Sequence, residues 1–325
     1  MADSVLELHK KAFIADLHCD TVGKILEGSN IQKDNKETQI DIPKLLKGNV
    51  NLQVFAAFIN PKYSPNHCTR RALVLIDRII RLTEENKELT LVRNPTEIRK
   101  LRKGKIGILL AIEGGDAIEG SLELLRNFQR LGVRIMTLSW NKSNRIGDAA
   151  LDRTKPHNGL SEFGKTVVRE MEKLHMLIDI SHSSVKTFWD IYENTEGPFI
   201  ASHTAASAIR KHRRNLNDEQ IRAIGERGGI TGIFFLPGYI SRVKPVRIKH
   251  VLEHINHIRD LAGIDSIALG SDFDGMSERT KGLEHAGKLP ALTRALLEEG
   301  YSEKDVKKIL GGNFVRLFRS VSSPR

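Results

Sequence analysis

Cysteine is nearly absent from this chain: Cys19 and Cys68 are the two in 325 residues. One pair cannot build the disulfide framework of a small secreted domain, so a reducing compartment is expected. Long apolar runs are missing too, and no stretch approaches the roughly 20 apolar residues of a membrane-spanning helix. The opening Met1-Ala2-Asp3-Ser4-Val5-Leu6-Glu7-Leu8-His9 carries acids where a secretory leader carries Lys or Arg. The closing Val321-Ser322-Ser323-Pro324-Arg325 forms no hydrophobic anchor tail. A cytoplasmic protein without a membrane partner is the expectation. Linkers, low-complexity tracts and repeats beyond a strand–helix unit are also lacking, which argues for a single domain over 1–325.

Acids are outnumbered, 40 against 51 Lys and Arg, for a net charge of +11. Such a balance raises the question of nucleic acid, because clustered cations bind phosphate backbones. Most of the basic residues are spread along amphipathic segments such as Arg78-Ile79-Ile80-Arg81 and Lys307-Lys308-Ile309. The denser clusters, Arg99-Lys100-Leu101-Arg102-Lys103 and Arg210-Lys211-His212-Arg213-Arg214, have no interleaved aromatics. They read as solvated faces, and no nucleic-acid partner is expected.

What the chain does have is an alternation. Strand-like runs, most of them rich in β-branched residues, fall at 13–17, 52–58, 106–112, 133–138, 176–181, 198–202, 229–235 and 266–271. Helical patterns lie between them, for example 73–82, 122–128, 163–174, 185–192, 218–225 and 248–261. Asn217-Asp218-Glu219-Gln220 and Ser302-Glu303-Lys304-Asp305 supply caps and acidic first turns. Alternation of this kind implies a parallel sheet, and eight units imply an α/β fold of the (β/α)8 TIM-barrel type. The connections 141–159 and 237–249 are long, as loops on the catalytic face of such barrels often are.

Metal-ligand residue types end these runs. His18 and Asp20 follow the first, Glu113 the third, His182 the fifth, His203 the sixth and Asp272 the eighth. Side chains on the C-terminal rim of a parallel barrel converge on one pocket. His18 and Asp20 are two apart and share a face, with Cys19 turned away. Glu113 closes a seven-residue apolar run, where a carboxylate is costly without an ionic partner. The remaining nine histidines fall on loops and helix faces and read as structural. In Gly270-Ser271-Asp272-Phe273-Asp274-Gly275, one Asp is expected to face the pocket and the other to orient the loop; Asp272 directly ends the apolar run. Five ligands hold two metals if Glu113 bridges. Such a pair, roughly 3.5–4 Å apart, would share a hydroxide, and Asp272 is placed to take its proton as general base. Nitrogen and oxygen ligands without thiolate suit Zn2+, and Mn2+ or Co2+ also fit.

As a set, these residues resemble the membrane (renal) dipeptidase family of amidohydrolase-type metallopeptidases. The resemblance is carried by Asp16-Leu17-His18-Cys19-Asp20-Thr21, Glu113-Gly114-Gly115, Leu160-Ser161-Glu162-Phe163-Gly164 and Ile178-Asp179-Ile180-Ser181-His182-Ser183-Ser184. Further on come Ile200-Ala201-Ser202-His203-Thr204, Arg214-Asn215-Leu216, the 270–275 segment and Ile309-Leu310-Gly311-Gly312-Asn313-Phe314. It implies two Zn2+ per chain, one on His18, Asp20 and Glu113, the other on Glu113, His182 and His203. It also implies Asp272 as proton shuttle and Arg214 as anchor for the carboxylate of a small dipeptide, with a C-terminal D-residue tolerated. The same resemblance points to a homodimer. Arg213 stands beside Arg214 and offers the same guanidinium. One departure concerns the fourth strand, after which mammalian-type members carry a substrate-contacting histidine. Here Met136-Thr137-Leu138-Ser139 runs into Trp140-Asn141, which are expected to face the substrate, and an indole can donate a hydrogen bond but not take up a proton.

Dipeptide hydrolysis is the leading expectation. Another amidohydrolase reaction on a cyclic amide, lactone or N-acyl amino acid is the enzymatic alternative, because a shared barrel does not fix the substrate. Neutral lactones would have no use for Arg214. A catalytically silent binding protein is a third reading, against which the intact ligand set argues.

Overall fold

The computed structural model describes residues 2–101 and 104–322. Arg102 and Lys103 of the first basic cluster, together with Met1 and 323–325, lie outside the described residues.

Nine strands form one all-parallel sheet: β1 (Ala15–Asp16), β2 (Leu52–Phe58), β3 (Leu89–Val92), β4 (Ile106–Glu113), β5 (Val133–Thr137), β6 (Leu177–Asp179), β7 (Ile200–Thr204), β8 (Ile230–Ile233) and β9 (Ile267–Leu269). Eight of them close into a ring, because β1 pairs with both β2 and β9 while β2 pairs directly with β4. Helices lie between the strands, so the chain is a (β/α)8 barrel. The expected eight runs all overlap barrel strands, though the first shrinks from 13–17 to Ala15–Asp16 and the strands Ile106–Glu113 and Ile200–Thr204 reach past the runs 106–112 and 198–202.

β3 was not expected. It pairs with Ile106–Leu109, the N-terminal half of β4, and β5 takes over from Leu110 onward. The β4–β5 ladder shifts register between Leu110 and Ala111, one residue beyond the point where β5 replaces β3.

One apolar cluster draws a residue from each of the eight barrel strands: Ala15, Leu52, Leu109, Ile135, Leu177, Ile200, Ile230 and Ala268. Only the barrel interior can bring all eight together. Phe314, Leu317 and Phe318 of the final helix Asn313–Ser322 join that cluster, with Phe314 and Phe318 stacked at 5.6 Å. Two-residue alternation then decides the opposite end. On β4, Leu109 and Ala111 belong to this interior cluster, so Glu113 continues the same face to the C-terminal rim.

Helix starts follow local chemistry. Asn217 accepts from Gln220 N while Gln220 returns the bond to the Asn217 amide, a reciprocal cap for Asp218–Glu226. Ser184 accepts from Thr187 N and opens Val185–Asn194. Among the described residues, no helix is long and apolar enough to cross a membrane.

Candidate metal centre

His18, Asp20, Glu113, His182, His203 and Asp272 meet at the C-terminal rim. Three ligand groups, each with atoms within 4.8 Å of one another, can be drawn from them: His18–Asp20–Glu113, Glu113–His182–His203 and His18–His203–Asp272. Glu113 divides its oxygens between the first two. Oε2 lies 3.6 Å from His18 Nε2, which is 3.5 Å from Asp20 Oδ2. Oε1 lies 3.0 Å from His182 Nε2 and 3.5 Å from His203 Nε2.

The backbone is strained where the site needs it. His182 and Asp272 are non-glycine residues in the left-handed region, at φ 68° and 62°. Such positions cost about 1–3 kcal/mol each and persist only where surrounding contacts impose them. The His182 carbonyl is held by Ala150 N at 2.6 Å, and the Asp272 amide donates to His18 O at 3.2 Å. Gly275 supplies room: a Cβ there would stand 2.2 Å from Asp20 Oδ2 and 2.5 Å from Asp272 Oδ1.

Hydrogen bonds behind the rings fix their tautomers. The Ser202 hydroxyl donates to Asp179 Oδ2 at 2.6 Å, so at His203 Nδ1, 2.8 Å away, it must accept. His203 therefore carries its proton on Nδ1 and turns a bare Nε2 inward. Asp179 is a buried foundation that also accepts from Ser181 N, Ser202 N and Thr137 Oγ1. His182 Nδ1 donates to Asn141 Oδ1 at 3.0 Å, which likewise leaves its Nε2 bare. The two bare Nε2 atoms stand 3.0 Å apart. A second foundation lies under β1 and β9, where Asp16 accepts from Ser271 N, Ser271 Oγ and Gln53 Nε2.

These residues fit divalent cations. The His18 Nε2 and Asp20 Oδ1 atoms are buried with no hydrogen-bond partner. Buried polar atoms are normally paired, and a cluster of buried carboxylates is costly without cationic compensation. Burial drives the His182 pKa down to about 4, helped by the Arg214 charge, and drives His203 well below its ordinary value. Burial also opposes the charge on His18, but the Glu113 and Asp20 carboxylates outweigh it and raise the His18 pKa. Glu113, despite burial, is held well below the usual carboxylate range by His18 and His182. Neutral imidazoles and ionised carboxylates are the states a metal ligand requires, and His182, His203 and Glu113 are shifted toward them; burial and Glu113 raise the Asp20 pKa, so His18 and Asp20 would give up protons when a cation binds.

Asp272 and Asp274 differ sharply. Asp274 accepts from Thr21 Oγ1, Lys24 Nζ, Gln39 N and Ile40 N, which ties the loop down. Asp272 lines the central cavity, its pKa pushed up to about 8 by burial, with Asp20 and Glu113 raising it and His18 and Arg214 opposing.

That cavity has a volume of ≈ 380 Å³. Arg214, 4% exposed, lines it beside Tyr239 and Asp272; its Nη2 donates to His203 O at 3.2 Å and its Nε is buried without a partner. Arg213 is exposed and lines a different cavity, which separates two arginines that sequence could not. His212 takes the Arg214 amide on Nδ1 at 3.1 Å and stacks on Tyr239 at 4.0 Å. Phe58 and Trp140 form an aromatic wall, edge to face at 4.9 Å, with Trp140 6.0 Å from His182. Asn141 also lines the cavity, but its oxygen is spent on His182. Sequence reasoning missed Phe58, Tyr239, Asp179 and Ser202. Phe58 had a signal, because it ends a strand run on the rim; Asp179 and Ser202 are set by contacts across strands, and Tyr239 by its stacking on His212.

Known proteins share this arrangement of fold. The profile of the membrane dipeptidase family, peptidase family M19, matches residues 2–324. A dipeptidase from Claviceps purpurea, tcpJ, is 32% identical over 295 residues, which are 87% of this chain and 69% of that protein. The crystal structure of dipeptidase AC, a metallopeptidase, superposes with a TM-score of 0.89 at 25% identity, covering 96% of this chain and 99% of that one. A metallopeptidase from Rhodobacter sphaeroides, liganded with a phosphinate mimic of the dipeptide L-Ala-D-Ala, superposes with a TM-score of 0.87 at 24% identity, covering 96% and 99%.

Proposed function

The chain belongs to the membrane dipeptidase family and is a metallo-dipeptidase, and from that premise we propose a two-cation centre that cleaves dipeptides bearing a free C-terminal carboxylate. The observation that carries the proposal is the division of Glu113, one oxygen toward His18 and Asp20, the other toward His182 and His203. In this reading His18, Asp20 and Glu113 hold one ion, and Glu113, His182 and His203 the other. Zn2+ is the proposed metal, with Mn2+ and Co2+ compatible with the same donors. Bound there, the ions supply Lewis acidity and a water acidified toward neutral pKa.

The protein's own residues do the rest. Asp272 takes the proton of the attacking water and returns it to the leaving amine. Its high pKa in the metal-free protein shows an environment hostile to the carboxylate, and cations beside it act in the opposite direction. A carboxyl poised between these influences can both hold and release a proton near neutrality. Arg214 receives the substrate's terminal carboxylate; its planar fork suits that group, and its partnerless buried Nε leaves a donor free for it. Asn141 and Ser202 orient the two histidines. Trp140 and Phe58 form the wall against which the remainder of the dipeptide packs, in a cavity whose ≈ 380 Å³ suits a two-residue substrate. The proposal includes acceptance of a C-terminal D-residue, for which the phosphinate mimic of L-Ala-D-Ala is the direct probe.

Metal analysis tests the centre. After reconstitution with Zn2+ and removal of excess, the parent should approach two equivalents per chain and the His203→Ala variant should lose mainly one. A parent that saturates at one equivalent, with full activity in His203→Ala, would refute the shared-carboxylate arrangement.

A further inference from the structure

Beside the metal centre lies a second and larger cavity, ≈ 1180 Å³, walled by the 148–158 part of the β5 connection, the start of helix Val185–Asn194 and the 207–217 part of the β7 connection. Five cationic side chains line it: Arg153, Lys155, Lys186, Lys211 and Arg213. Lys186 pairs with Asp190, and Lys155 donates to Ala149 O. Among the described residues, none pairs with Arg153, Lys211 or Arg213 in a salt bridge.

The two acids on the wall are already occupied. Asp148 accepts from His157 N and Gly159 N, at 3.2 and 2.9 Å. Asp152 accepts from Ser143 N at 2.9 Å, and from Thr154 N and Oγ1 at 3.1 and 2.9 Å. Burial pulls the Lys155 pKa down; Asp148 and Asp152 oppose it, and the neighbouring Arg213 charge adds a smaller downward push. Two helix starts open on the same space, at Ser184 and at Asn217, and each contributes the positive end of its dipole. The cavity is distinct from the catalytic one. Arg214 faces the smaller space and Arg213 the larger, and the stacked His212 and Tyr239 stand between, one lining each.

We propose that this cleft is a second ligand site, which takes a small molecule bearing two or more oxyanion charges, phosphate or carboxylate. Like charges gathered from three separate segments repel one another, and an oxyanion bridging them relieves that repulsion while using the planar forks of Arg153 and Arg213. The volume, about three times that of the catalytic cavity, admits a ligand larger than a dipeptide. Among the described residues, no Phe, Tyr or Trp lines the cleft, so they offer no stacking platform of the kind single-stranded nucleic acids use.

The test is calorimetric titration of the full Zn2+-reconstituted chain at low ionic strength, with inorganic phosphate in one arm and succinate in the other. One equivalent should bind in at least one arm, the tighter arm identifying the favoured group, and affinity should fall as salt rises. The exposed double variant Arg153→Ser/Lys211→Ser should weaken binding at least tenfold while hydrolysing a neutral dipeptide at the parent rate. Saturation with the phosphinate dipeptide mimic should leave the binding in place. Absence of binding in both arms, unchanged affinity in the double variant, or displacement by the phosphinate would overturn the proposal. The two binding arms and the loss of affinity in the double variant stand apart from the dipeptidase reading, on which the hydrolysis and phosphinate controls rest.

Discussion

Asp272 and Asp274 sit two residues apart, both at positive φ and both on the wall of the catalytic cavity, yet Asp274 is saturated by four donors from the segment 21–40 while Asp272 stands beside the metal-ligand cluster. The contrast separates chemistry from scaffolding within a single turn, and substitution should separate them too. Asp272→Asn keeps the shape and removes the base, so kcat should fall roughly 10²–10⁴-fold with metal content retained. Asp274→Asn should instead lower thermal stability, because it weakens the acceptor for Lys24, Thr21 and two backbone amides. Steady-state kinetics alongside melting curves distinguish the two, and a reversal of the pattern would mean the roles have been exchanged.

Ser202 acts on the centre only through His203. Removing its hydroxyl breaks the link to Asp179 and frees the ring to rotate or change tautomer. Loss of such a supporting partner costs about 10–100-fold in metal affinity. Competition with a zinc-binding dye should show that loss in Ser202→Ala for one of the two equivalents, with the other unchanged. Equal affinity for both equivalents would show that the serine does not orient the ring.

Away from the metals, His254 ties the β7 connection to the helix Pro237–Ile240, accepting from Ala206 N on Nδ1 and donating from Nε2 to Ile240 O. Burial holds its pKa down at about 4, against an ordinary 6.5. The folded protein therefore binds fewer protons than the unfolded chain between these values. The sign is fixed: the stability that neutral His254 contributes is present above pH 6.5 and lost as pH falls toward 4. The difference of 6.5 − 4 = 2.5 corresponds to roughly 3 kcal/mol at 1.36 kcal/mol per unit. Denaturant unfolding of the metal-free protein from pH 8 to 4 should be less steep in pH for His254→Gln than for the parent. Parallel curves would contradict the assignment.

The barrel and the ligand types were legible because period-two alternation and rim position are local properties of a strand. A carboxylate ending Ile106–Ile112, or an imidazole ending 176–181, declares itself against an apolar run. β3 was not legible, since Leu89–Val92 is four residues long and too short to show a period against the helix before it. The partners of the ligands were hidden for another reason. Asn141 reaches His182 across 41 positions, and Asp179 meets Ser202 across 23, so only the closed barrel makes either pair visible. Asn141, expected to face substrate, lines the cavity, and the bond of its oxygen to the His182 ring nitrogen is what the sequence could not show. Arg213 and Arg214 are equivalent in composition, and burial alone tells them apart.

The central claim is that Arg214 reads a free carboxylate while the Glu113 centre cuts the adjoining peptide bond. Hydrolysis of L-Ala-D-Ala and of its C-terminal amide by the Zn2+-reconstituted protein tests it directly. A charge-assisted bond of about 1.5–3 kcal/mol should disappear with the carboxylate, so kcat/KM should fall at least roughly tenfold on the amide. Arg214→Met should show a similar loss on the free dipeptide and little further loss on the amide. Equal turnover of the free and amidated dipeptides by the parent would contradict the account and favour a substrate without a carboxylate.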